Sequence, residues 1–508
     1  MLYHLLTGAS GLLGCYLLKD AAALDLPLAV VVRPSRTASA RQRVEDLLAR
    51  WENQTSSLLP RPVVLEGDLT KPGLGLNAAQ IDWIRDSCSS VIHNAASLSF
   101  VAESHADEPY RTNVGGTQNV LDLCRETGIR NFHHVSTAYV CGLRQGTILE
   151  SERNVGQTLG NDYERSKIEA EELVAGADYI DSKTFFRPGI IIGDSRTGYT
   201  STFHGFYVPL KVTNGLLHSV KDLKGVSTSD IVRLFGLDGT ETKNFVPVDW
   251  VSAVMMRVIA TPEHHGKTYH LTPTDRTRFT EMSEAMAEAN ADSPKIKSQG
   301  NISYDFFRNT LLDQMKVYEA YWRDDPVFDR TNTLAAAPDL PCPVIDKALL
   351  LRMCQYAVKS NFGWPIAPSR IPPIDVGTVV QNACQPSLIN GTRPTVVGLV
   401  ITGPGGGDWE LQVIGNDIVE ANEGLTPRCH TIIRLGSHTL KEISDGHCIA
   451  LDALQIGRLS LEGRTGASSP DLCEIVDALV RRRAKGLSLE NGQDGPLASA
   501  TRVSDNES

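Results

Sequence analysis

The sequence lacks long apolar runs, paired cysteines and an excess of positive charge. No run approaches the roughly 20 apolar residues of a membrane span, and no charged-then-apolar leader precedes the first apolar segment. The ten cysteines are scattered without a Cys-x-x-Cys pair, which argues against a disulfide framework and against zinc. A net charge of −11 argues against nucleic acid or an anionic membrane as the main partner. We therefore expect a cytoplasmic protein with no metal and no membrane span.

A glycine-rich turn follows the first apolar segment. Residues 2–6 are typical of a buried strand, and leucines at helical spacing begin at Leu12. Glycine between a strand and a helix lets the backbone bend sharply and lets a pyrophosphate approach the helix N-terminus. An ordinary βα turn shows the same spacing, but the position after the first strand favours nucleotide binding. The residues predicted to form this site are Thr7, Gly8, Ser10, Gly11, Leu12 and Gly14.

Two arginines indicate whether the predicted cofactor is NADPH or NADH. The second predicted strand, residues 28–32, ends at Arg33, and Arg43 lies on the helix that follows. An acidic residue after the second strand would hold the ribose 2′-hydroxyl of NAD, whereas arginine suits the 2′-phosphate of NADP. Solvated loop arginines are the alternative interpretation. The position after the second strand favours NADPH.

Strands and helices alternate along the first half of the chain. Further strands are predicted over residues 63–69, 91–96 and 132–135, and Asn113 stands at a glycine-bearing helix start. This alternation predicts an α/β fold, a doubly wound Rossmann-type parallel sheet. Ligands in such sheets bind beyond the carboxyl ends of the strands. The polar and small residues that follow these strands are Asp68, Leu69, Asn94, Ala95 and Ala96.

Tyr163 and Lys167 form the candidate catalytic pair. Four residues apart, they share one face of a helix that Asn161 or Asp162 can cap. The lysine ammonium is expected to lower the pKa of the tyrosine and make it a usable proton donor. The same spacing occurs at Tyr179 and Tyr207, but residues 179–183 enter a strand and Pro209 is expected to interrupt a helix. Only Tyr163 also follows a strand that ends near a hydroxyl residue, Thr137, which can hold a substrate carbonyl oxygen.

These residues resemble those of the extended short-chain dehydrogenase/reductases, and in particular the thioester reductase domains of carboxylic acid reductases and peptide synthetases and the fatty acyl-CoA reductases. The more particular stretches are Gly67-Asp68-Leu69-Thr70, His93-Asn94-Ala95-Ala96, Val135-Ser136-Thr137, Arg187-Pro188-Gly189 and the run 193–198. The resemblance implies that Asp68 contacts adenine, Ala95 the central part of the cofactor, and Pro188 and Gly189 the nicotinamide side. The chain has no attached adenylation or carrier module, so an acyl donor in trans is implied.

The first domain is predicted to span residues 1–300, with a substrate lid inserted at about 200–243. Phe203, Phe206 and Tyr207 are candidates to line an acyl channel, although an aromatic cluster is more often plain core. A helical extension and linker are predicted over 301–374, with one long helix at 302–322 and a proline-rich linker at 363–373.

The last part of the chain has a different pattern. Residues 375–485 alternate short strands and helices, with Ser437 as a helix cap and the glycine run 403–408 as a hairpin tip. The runs 440–446 and 457–463 resemble the α+β sterol carrier protein 2 fold, which implies an apolar tunnel for lipids. A small domain that only mediates dimerisation is the alternative. The polar, acidic tail 486–508 is expected to be disordered.

Three classes of function follow. The first is NADPH-dependent reduction of an apolar acyl thioester, carried on CoA or an acyl-carrier protein, to aldehyde or alcohol. The second is oxidation or reduction of a ketone or alcohol, or modification of a nucleotide sugar, on the same fold. The third is lipid binding with a cofactor-sensing reductase half. The set Thr137, Tyr163 and Lys167 weighs against the third class, and a homodimer is compatible with all three.

Overall fold

The computed structural model describes residues 2–35, 38–55, 59–216, 232–291, 303–363, 374–385, 394–403, 405–455, 458–463 and 471–480. The chain divides into two compact units. The first comprises residues 1–51 and 59–366, and the second comprises residues 52–58 and 367–508. The predicted tail and nearly all of the predicted linker lie outside the described residues.

The strands of the first unit are β1 Tyr3–Thr7, β2 Leu28–Val32, β3 Val63–Glu66, β4 Cys88–His93, β5 Asn131–Val135, β6 Thr147–Ile148, β7 Ser182–Pro188, β8 Ile190–Ile192, β9 Thr242–Lys243, β10 Phe245–Pro247, β11 Thr268–Leu271, β12 Thr277–Arg278 and β13 Val327–Phe328. The helices that begin in this region are α1 Leu12–Ala23, α2 Ala40–Thr55, α3 Ala78–Ser87, α4 Gly116–Thr127, α5 Asp162–Gly176, α6 Tyr207–Leu216, α7 Val248–Ala260, α8 Phe279–Ala291, α9 Tyr304–Met315, α10 Thr331–Ala336 and α11 Lys347–Lys359.

A seven-stranded parallel sheet organises the first unit. Its order is β11-β7-β5-β4-β1-β2-β3, and every neighbouring pair is parallel. The central strands are largely buried on both sides because helices cover both faces. Leu6 packs with α1 and α7 on one face, whereas Leu5 packs with α3, α4 and α5 on the other. The predicted Rossmann-type sheet is confirmed.

Helices and two-stranded sheets cover the carboxyl end of the large sheet. β8 pairs with β10, β9 with β12, and β6 with β13. Helices α6, α8 and α11 share one apolar cluster, and α9 packs near α6. Within the predicted lid, residues 217–231 lie outside the described residues.

Of two predictions about this region, the first was confirmed in part and the second was wrong. The helix predicted over 302–322 ends as an α-helix at Met315 and continues as 3₁₀ helix over Lys316–Tyr321. Pro209 does not interrupt a helix, because α6 begins at Tyr207 and places the proline in its first turn. The first amides of a helix have no intrahelical acceptor, so a proline there costs no hydrogen bond.

The second unit contains a mixed five-stranded sheet. Its strands are β14 Thr395–Thr402, β15 Gly407–Ile414, β16 Asp417–Glu423, β17 Thr431–Gly436 and β18 Leu459–Gly463, in the order β16-β15-β14-β17-β18. Its helices are α12 Val376–Ala383, α13 Ser437–Ser444 and α14 Ala450–Gln455, and residues 471–480 are also helical. These elements share one apolar core.

The turn chemistry of the second unit was predicted in part. The glycine run after β14 connects two antiparallel neighbours, β14 and β15, as a hairpin tip should. Ser437 is not a cap, because α13 begins at this residue and its N-cap is Gly436, which has no side chain to accept a hydrogen bond.

Within the described ranges, no helix is long and apolar enough to cross a membrane.

Candidate active site

A cavity of about 830 Å³ opens at the carboxyl ends of the sheet strands in the first unit. Most of the residues predicted for the site line it, although they come from turns far apart in the sequence. Those that line it are Gly8, Ser10, Gly11, Leu12, Arg33, Arg43, Asp68, Leu69, Asn94, Ala95, Ala96, Thr137, Tyr163, Lys167, Pro188 and Gly189. Thr7, Gly14 and Asn113 do not line it.

The backbone is packed so closely at the glycine turn that side chains at Gly8 and Gly14 would clash with it. Gly8 has φ +73°, and a Cβ at this position would lie 2.6 Å from the backbone nitrogen of Ala95. A Cβ at Gly14 would lie 2.1 Å from the carbonyl oxygen of Gly8, so Gly14 supports the turn from behind. Gly11 is the N-cap of α1 and has no side chain. This narrow strand–turn–helix cradle fits the pyrophosphate of a dinucleotide.

Arg43 connects the glycine turn to the end of β2. Its Nη2 donates to the hydroxyl of Ser10 at 3.0 Å, and its Nη1 donates to the carbonyl oxygen of Arg33. Both arginines line the cavity. Although burial raises the pKa of Asp68, hydrogen bonds from Thr70 and the charge of Arg33 hold it below its ordinary value. The site therefore presents two cations and one ionised carboxylate where a ribose phosphate and adenine are expected.

The catalytic candidates meet at the end of β5 and the start of α5. Asn161 caps α5 by accepting a hydrogen bond from the backbone nitrogen of Glu164 at 2.9 Å. One turn into this helix, the Lys167 Nζ donates to the carbonyl oxygen of Val135 at 2.7 Å. The Thr137 hydroxyl lies close enough to that of Tyr163 to oppose the rise of the Tyr163 pKa. The hydroxyl pair of Thr137 and Tyr163 can hold a carbonyl oxygen and give it a proton.

The pKa of Tyr163 shifts in the direction opposite to the one expected from the charge of Lys167. Burial raises the pKa of Tyr163 to about 12, and the nearby hydroxyl of Thr137 only partly opposes this. Burial also lowers the pKa of Lys167 to about 8, and the charge of Glu171 opposes that shift. Desolvation is the largest cause of both pKa shifts, because both groups are removed from water, and the charge of Glu164 adds to the upward shift of Tyr163. At neutral pH Tyr163 is thus a neutral phenol, which is the form that donates a proton.

The other two tyrosine–lysine spacings do not form such a pair. The Tyr179 hydroxyl donates to the carbonyl oxygen of Leu121, and Lys183 donates to that of Ala175. The Tyr207 hydroxyl accepts a hydrogen bond from the backbone nitrogen of Gly193. Helix context excludes Tyr179 but not Tyr207, because Tyr207 and Lys211 both lie in α6. Tyr163 is identified instead by its position beside Thr137.

Asn113 lies behind the cavity wall and connects two parts of the site. Its Oδ1 accepts from the backbone nitrogen of Ser97 at 2.7 Å, and its Nδ2 donates to the Ser97 carbonyl at 3.0 Å. The same Nδ2 donates to the hydroxyl of Ser166 at 2.9 Å. Ser166 in turn donates to the carbonyl oxygen of Tyr163. Asn113 is therefore a positioning residue between the loop after β4 and helix α5.

A buried histidine, His93, extends this network to the glycine turn. Thr117 donates to the carbonyl oxygen of Asn113 at 2.5 Å, so His93 Nε2, 2.9 Å from that hydroxyl, must carry the ring proton. His93 Nδ1 then accepts from the hydroxyl of Thr7 at 2.8 Å. Thr7 also accepts from the backbone nitrogen of Ala95. Thr7 therefore does not line the cavity but supports Ala95, which does. A role for His93 could not be predicted from the sequence, because its two partners lie on other elements.

Phe100 covers the candidate catalytic tyrosine and was not identified from the sequence. Its ring centroid lies 5.8 Å from that of Tyr163, 5.1 Å from Tyr318 and 5.8 Å from Tyr321, each nearly edge-on. Phe100, Tyr318 and Tyr321 line the cavity. These aromatic rings limit the access of water to the hydroxyl of Tyr163.

The remaining wall of the cavity is largely apolar. It is formed by Phe206, Tyr207, Val232, Phe235, Phe279, Met282, Met286, Met315 and Trp322. Phe203, the third aromatic residue predicted for an acyl channel, packs against Tyr207 and Phe362 and does not line the cavity. Methionine and aromatic side chains adapt to irregular apolar ligands. The cavity thus joins a dinucleotide cradle to an apolar compartment.

Comparisons with known proteins relate this chain to one protein family and to several other proteins. Residues 6–255 match the family described as male sterility protein, an NAD-binding family. The chain is 26% identical over 387 residues to the non-canonical nonribosomal peptide synthetase hkm10 of Aspergillus hancockii, covering 69% of this chain and 36% of that protein. It is 25% identical over 277 residues to the fatty acyl-CoA reductase wat of Drosophila melanogaster, covering 48% of this chain and 51% of that protein.

One solved structure shows the same fold. The crystal structure of the terminal R domain from the myxalamid PKS-NRPS biosynthetic pathway superposes with a TM-score of 0.56 at 26% identity, covering 71% of this chain and 92% of that one. The chain spans about a third to a half of the length of the two curated relatives.

Proposed function

We propose that residues 6–255 are an NAD(P)-dependent oxidoreductase region of the extended short-chain dehydrogenase/reductase type, and that the chain reduces apolar acyl thioesters with NADPH. The observation that carries this proposal is the meeting of Thr137, Tyr163 and Lys167 where a dinucleotide cradle joins an apolar compartment. The product is an aldehyde, or an alcohol if a second reduction follows.

The proposed cofactor is NADPH rather than NADH. Arg33 and Arg43 both line the cavity at the end of β2, where the 2′-phosphate would lie. Two guanidinium groups favour a dianionic phosphate over a neutral hydroxyl through charge-assisted hydrogen bonds. Pro188 and Gly189 line the other end, where the resemblance places the nicotinamide. When bound, the cofactor supplies the hydride.

The chain's own residues orient the acyl group and handle the proton. The hydroxyls of Thr137 and Tyr163 hold the thioester carbonyl oxygen, and Tyr163 donates a proton to that oxygen as it becomes negatively charged. The buried ammonium of Lys167 stabilises the phenolate that this donation leaves, and Tyr163 then regains a proton from solvent. Collapse of the resulting hemithioacetal releases the thiol and the aldehyde.

The acyl compartment and the relatives support a thioester over a nucleotide sugar. Its wall consists mainly of phenylalanine, methionine and tryptophan side chains, which would bury a hydrocarbon chain at about 25 cal/mol per Å². One relative is named as a fatty acyl-CoA reductase, and another is a peptide synthetase. We extend this to CoA or an acyl-carrier protein as the carrier, with the chain acting in the cytoplasm.

The test is NADPH oxidation over a panel of acyl-CoAs, acyl-carrier proteins, ketones and aldehydes, with products identified by mass. The proposal predicts thiol release and aldehyde formation from the thioesters. Turnover of ketones without turnover of any thioester would contradict it and would favour the ketone reductase alternative.

For the second unit we propose a lipid-binding role of the sterol carrier protein 2 type. What supports it is the strand and helix order of this unit, together with an apolar core that includes Leu399, Leu411 and Ile433. The full chain is then expected to bind a fluorescent fatty acid that saturating acyl-CoA does not displace completely. Complete displacement, or no binding, would instead leave the second unit an assembly element, for example in a homodimer.

A further inference from the structure

Lys243 is a buried cation in the wall of the cavity. Its side chain is 3% exposed, and its Nζ donates to Oδ1 of Asp325, itself 1% exposed, at 2.8 Å. The neighbouring wall residues Phe245, Phe279 and Met282 are apolar. Removing an ammonium group from water is costly unless its donors find acceptors.

Asp325 does not use all the donors of Lys243. The carboxylate also accepts from the Tyr139 hydroxyl at 2.6 Å and from the backbone nitrogen of Asn244 at 3.0 Å. A lysine ammonium has three donors. Within the described part of the chain, Asp325 is its one hydrogen-bond partner, and the ring of Phe279 lies 5.6 Å from it. Two donors therefore remain for a molecule in the cavity.

Lys243 lies beside the expected reaction centre. It precedes Asn244, whose carbonyl oxygen accepts from the backbone nitrogen of Ile190 at 2.8 Å. A Cβ at Gly189 would lie 2.3 Å from the same carbonyl oxygen. Gly189 is the residue assigned to the nicotinamide side. A group bound by Lys243 would thus lie close to the carbon that is reduced, far from the glycine turn.

We propose that Lys243 is a specificity residue that donates a hydrogen bond to a neutral oxygen, a hydroxyl or a carbonyl, on the acyl group within a few bonds of the thioester carbon. This inference rests on the proposed thioester reduction. The oxygen is neutral because Asp325 already compensates the charge of Lys243, so a substrate carboxylate would bring an uncompensated buried charge. A plain hydrocarbon chain would leave the remaining donors without acceptors.

The test compares four eight-carbon thioesters: octanoyl-CoA, 3-hydroxyoctanoyl-CoA, 3-oxooctanoyl-CoA and suberoyl-CoA, which ends in a carboxylate. The expected kcat/KM for the better of the two 3-oxygenated substrates is about 10- to 100-fold above that for octanoyl-CoA, and suberoyl-CoA gains nothing. A ranking led by octanoyl-CoA or suberoyl-CoA would overturn the inference.

Substitution of Lys243 tests whether this residue causes the preference for oxygenated acyl groups. In Lys243→Met the ratio of oxygenated to plain substrate is expected to fall to about one. The double variant Lys243→Met/Asp325→Asn removes both charges and decides the question if the single variant does not fold. Lys347→Met, at an exposed position with carboxylate partners, should keep the wild-type ratio.

The outcomes separate the two proposals. A ratio that persists in both Lys243 variants overturns the role of Lys243 but leaves thioester reduction intact. Failure of the wild-type chain to reduce any of the four acyl groups, either on CoA or on an acyl-carrier protein, overturns the proposed function and this inference with it.

Discussion

The side-chain amide of Asn113 donates a hydrogen bond of 2.9 Å to the hydroxyl of Ser166, and this contact joins the loop after β4 to the helix that carries Tyr163 and Lys167. Asn113 also holds Ser97 through two hydrogen bonds. One buried amide thus fixes the distance between the wall of the cofactor cradle and the candidate catalytic helix. The geometry of the site therefore depends on residues, such as Asn113 and Ser166, that do not line the cavity.

Asn113→Ala should impair turnover more than cofactor affinity. The substitution leaves partly buried backbone groups of Ser97 without their amide partner, at a cost of about 1 kcal/mol. We expect kcat to fall by roughly 10- to 100-fold, with a smaller change in the NADPH dissociation constant. Gln118→Ala, on the same helical segment but exposed, is the control. Equal losses in the two variants would refute a specific role for Asn113.

Tyr163→Phe tests the proton donor. The variant should fold and bind NADPH but turn over roughly two to four orders of magnitude more slowly, because it lacks a general acid. Tyr179→Phe is the matched control, since Tyr179 also stands four residues before a lysine but lies outside the cavity. A larger loss in the control would show that Tyr163 is not the acid.

Arg33→Ala tests the cofactor preference. Removal of one guanidinium should weaken binding of NADPH by a few kcal/mol at most, and leave binding of NADH nearly unchanged, because NADH lacks the phosphate. Fluorescence titration of both cofactors measures this difference, with Arg130→Ala at an exposed position as control. Parallel losses for NADPH and NADH would contradict the assignment.

The pKa of Lys167 predicts the alkaline limb of the pH profile. Its ammonium loses a proton near pH 8, whereas Tyr163 stays protonated to about pH 12. We therefore expect kcat/KM to decline above about pH 8 with the loss of one proton. Lys183→Met should keep this decline, because Lys183 belongs to the spacing that forms no site. A profile that is flat from pH 7 to 10 would argue against a role for the Lys167 charge.

Buried histidines predict a loss of stability in acid. Burial lowers the pKa of His93 to about 3 and that of His270 to about 4, whereas the unfolded chain has a value near 6.5. A lowered native pKa means that the unfolded state binds more protons below pH 6.5. Each neutral histidine thus contributes fully to the free energy of unfolding above pH 6.5, and this contribution is lost as the pH falls from there toward the native pKa.

Between pH 7.5 and pH 5, the free energy of unfolding is expected to fall by about 2 kcal/mol for each such histidine. Urea unfolding of His93→Gln should show a smaller loss over this range than the wild type. His105→Gln, at an exposed position, should match the wild type. The same pH dependence in all three proteins would show that His93 does not contribute.

The parts of the structure that the sequence predicted are those with local signals. The strand, glycine turn and helix at residues 3–23 need only neighbours in sequence, and so does the cap of α5 by Asn161. The partners of Asn113 and Lys243 could not be predicted, because Ser166 is 53 residues away and Asp325 is 82 residues away.

The electrostatic prediction failed for a related reason. Spacing on a helix places Lys167 near Tyr163, and attraction alone would lower the pKa of the phenol. The shift is in fact upward, because the surrounding elements bury the phenol. Burial depends on the whole tertiary structure, so the sign of such a shift cannot be derived from the pair alone.

The central claim is hydride transfer to a thioester carbon followed by release of the thiol. The most direct measurement is a reaction of octanoyl-CoA with NADPH that carries deuterium at the transferable C4 position, analysed by mass spectrometry. We expect octanal with one deuterium at C1, or octanol with two, together with one equivalent of free CoA. Consumption of the cofactor without free CoA, or an aldehyde that contains no deuterium, would contradict it.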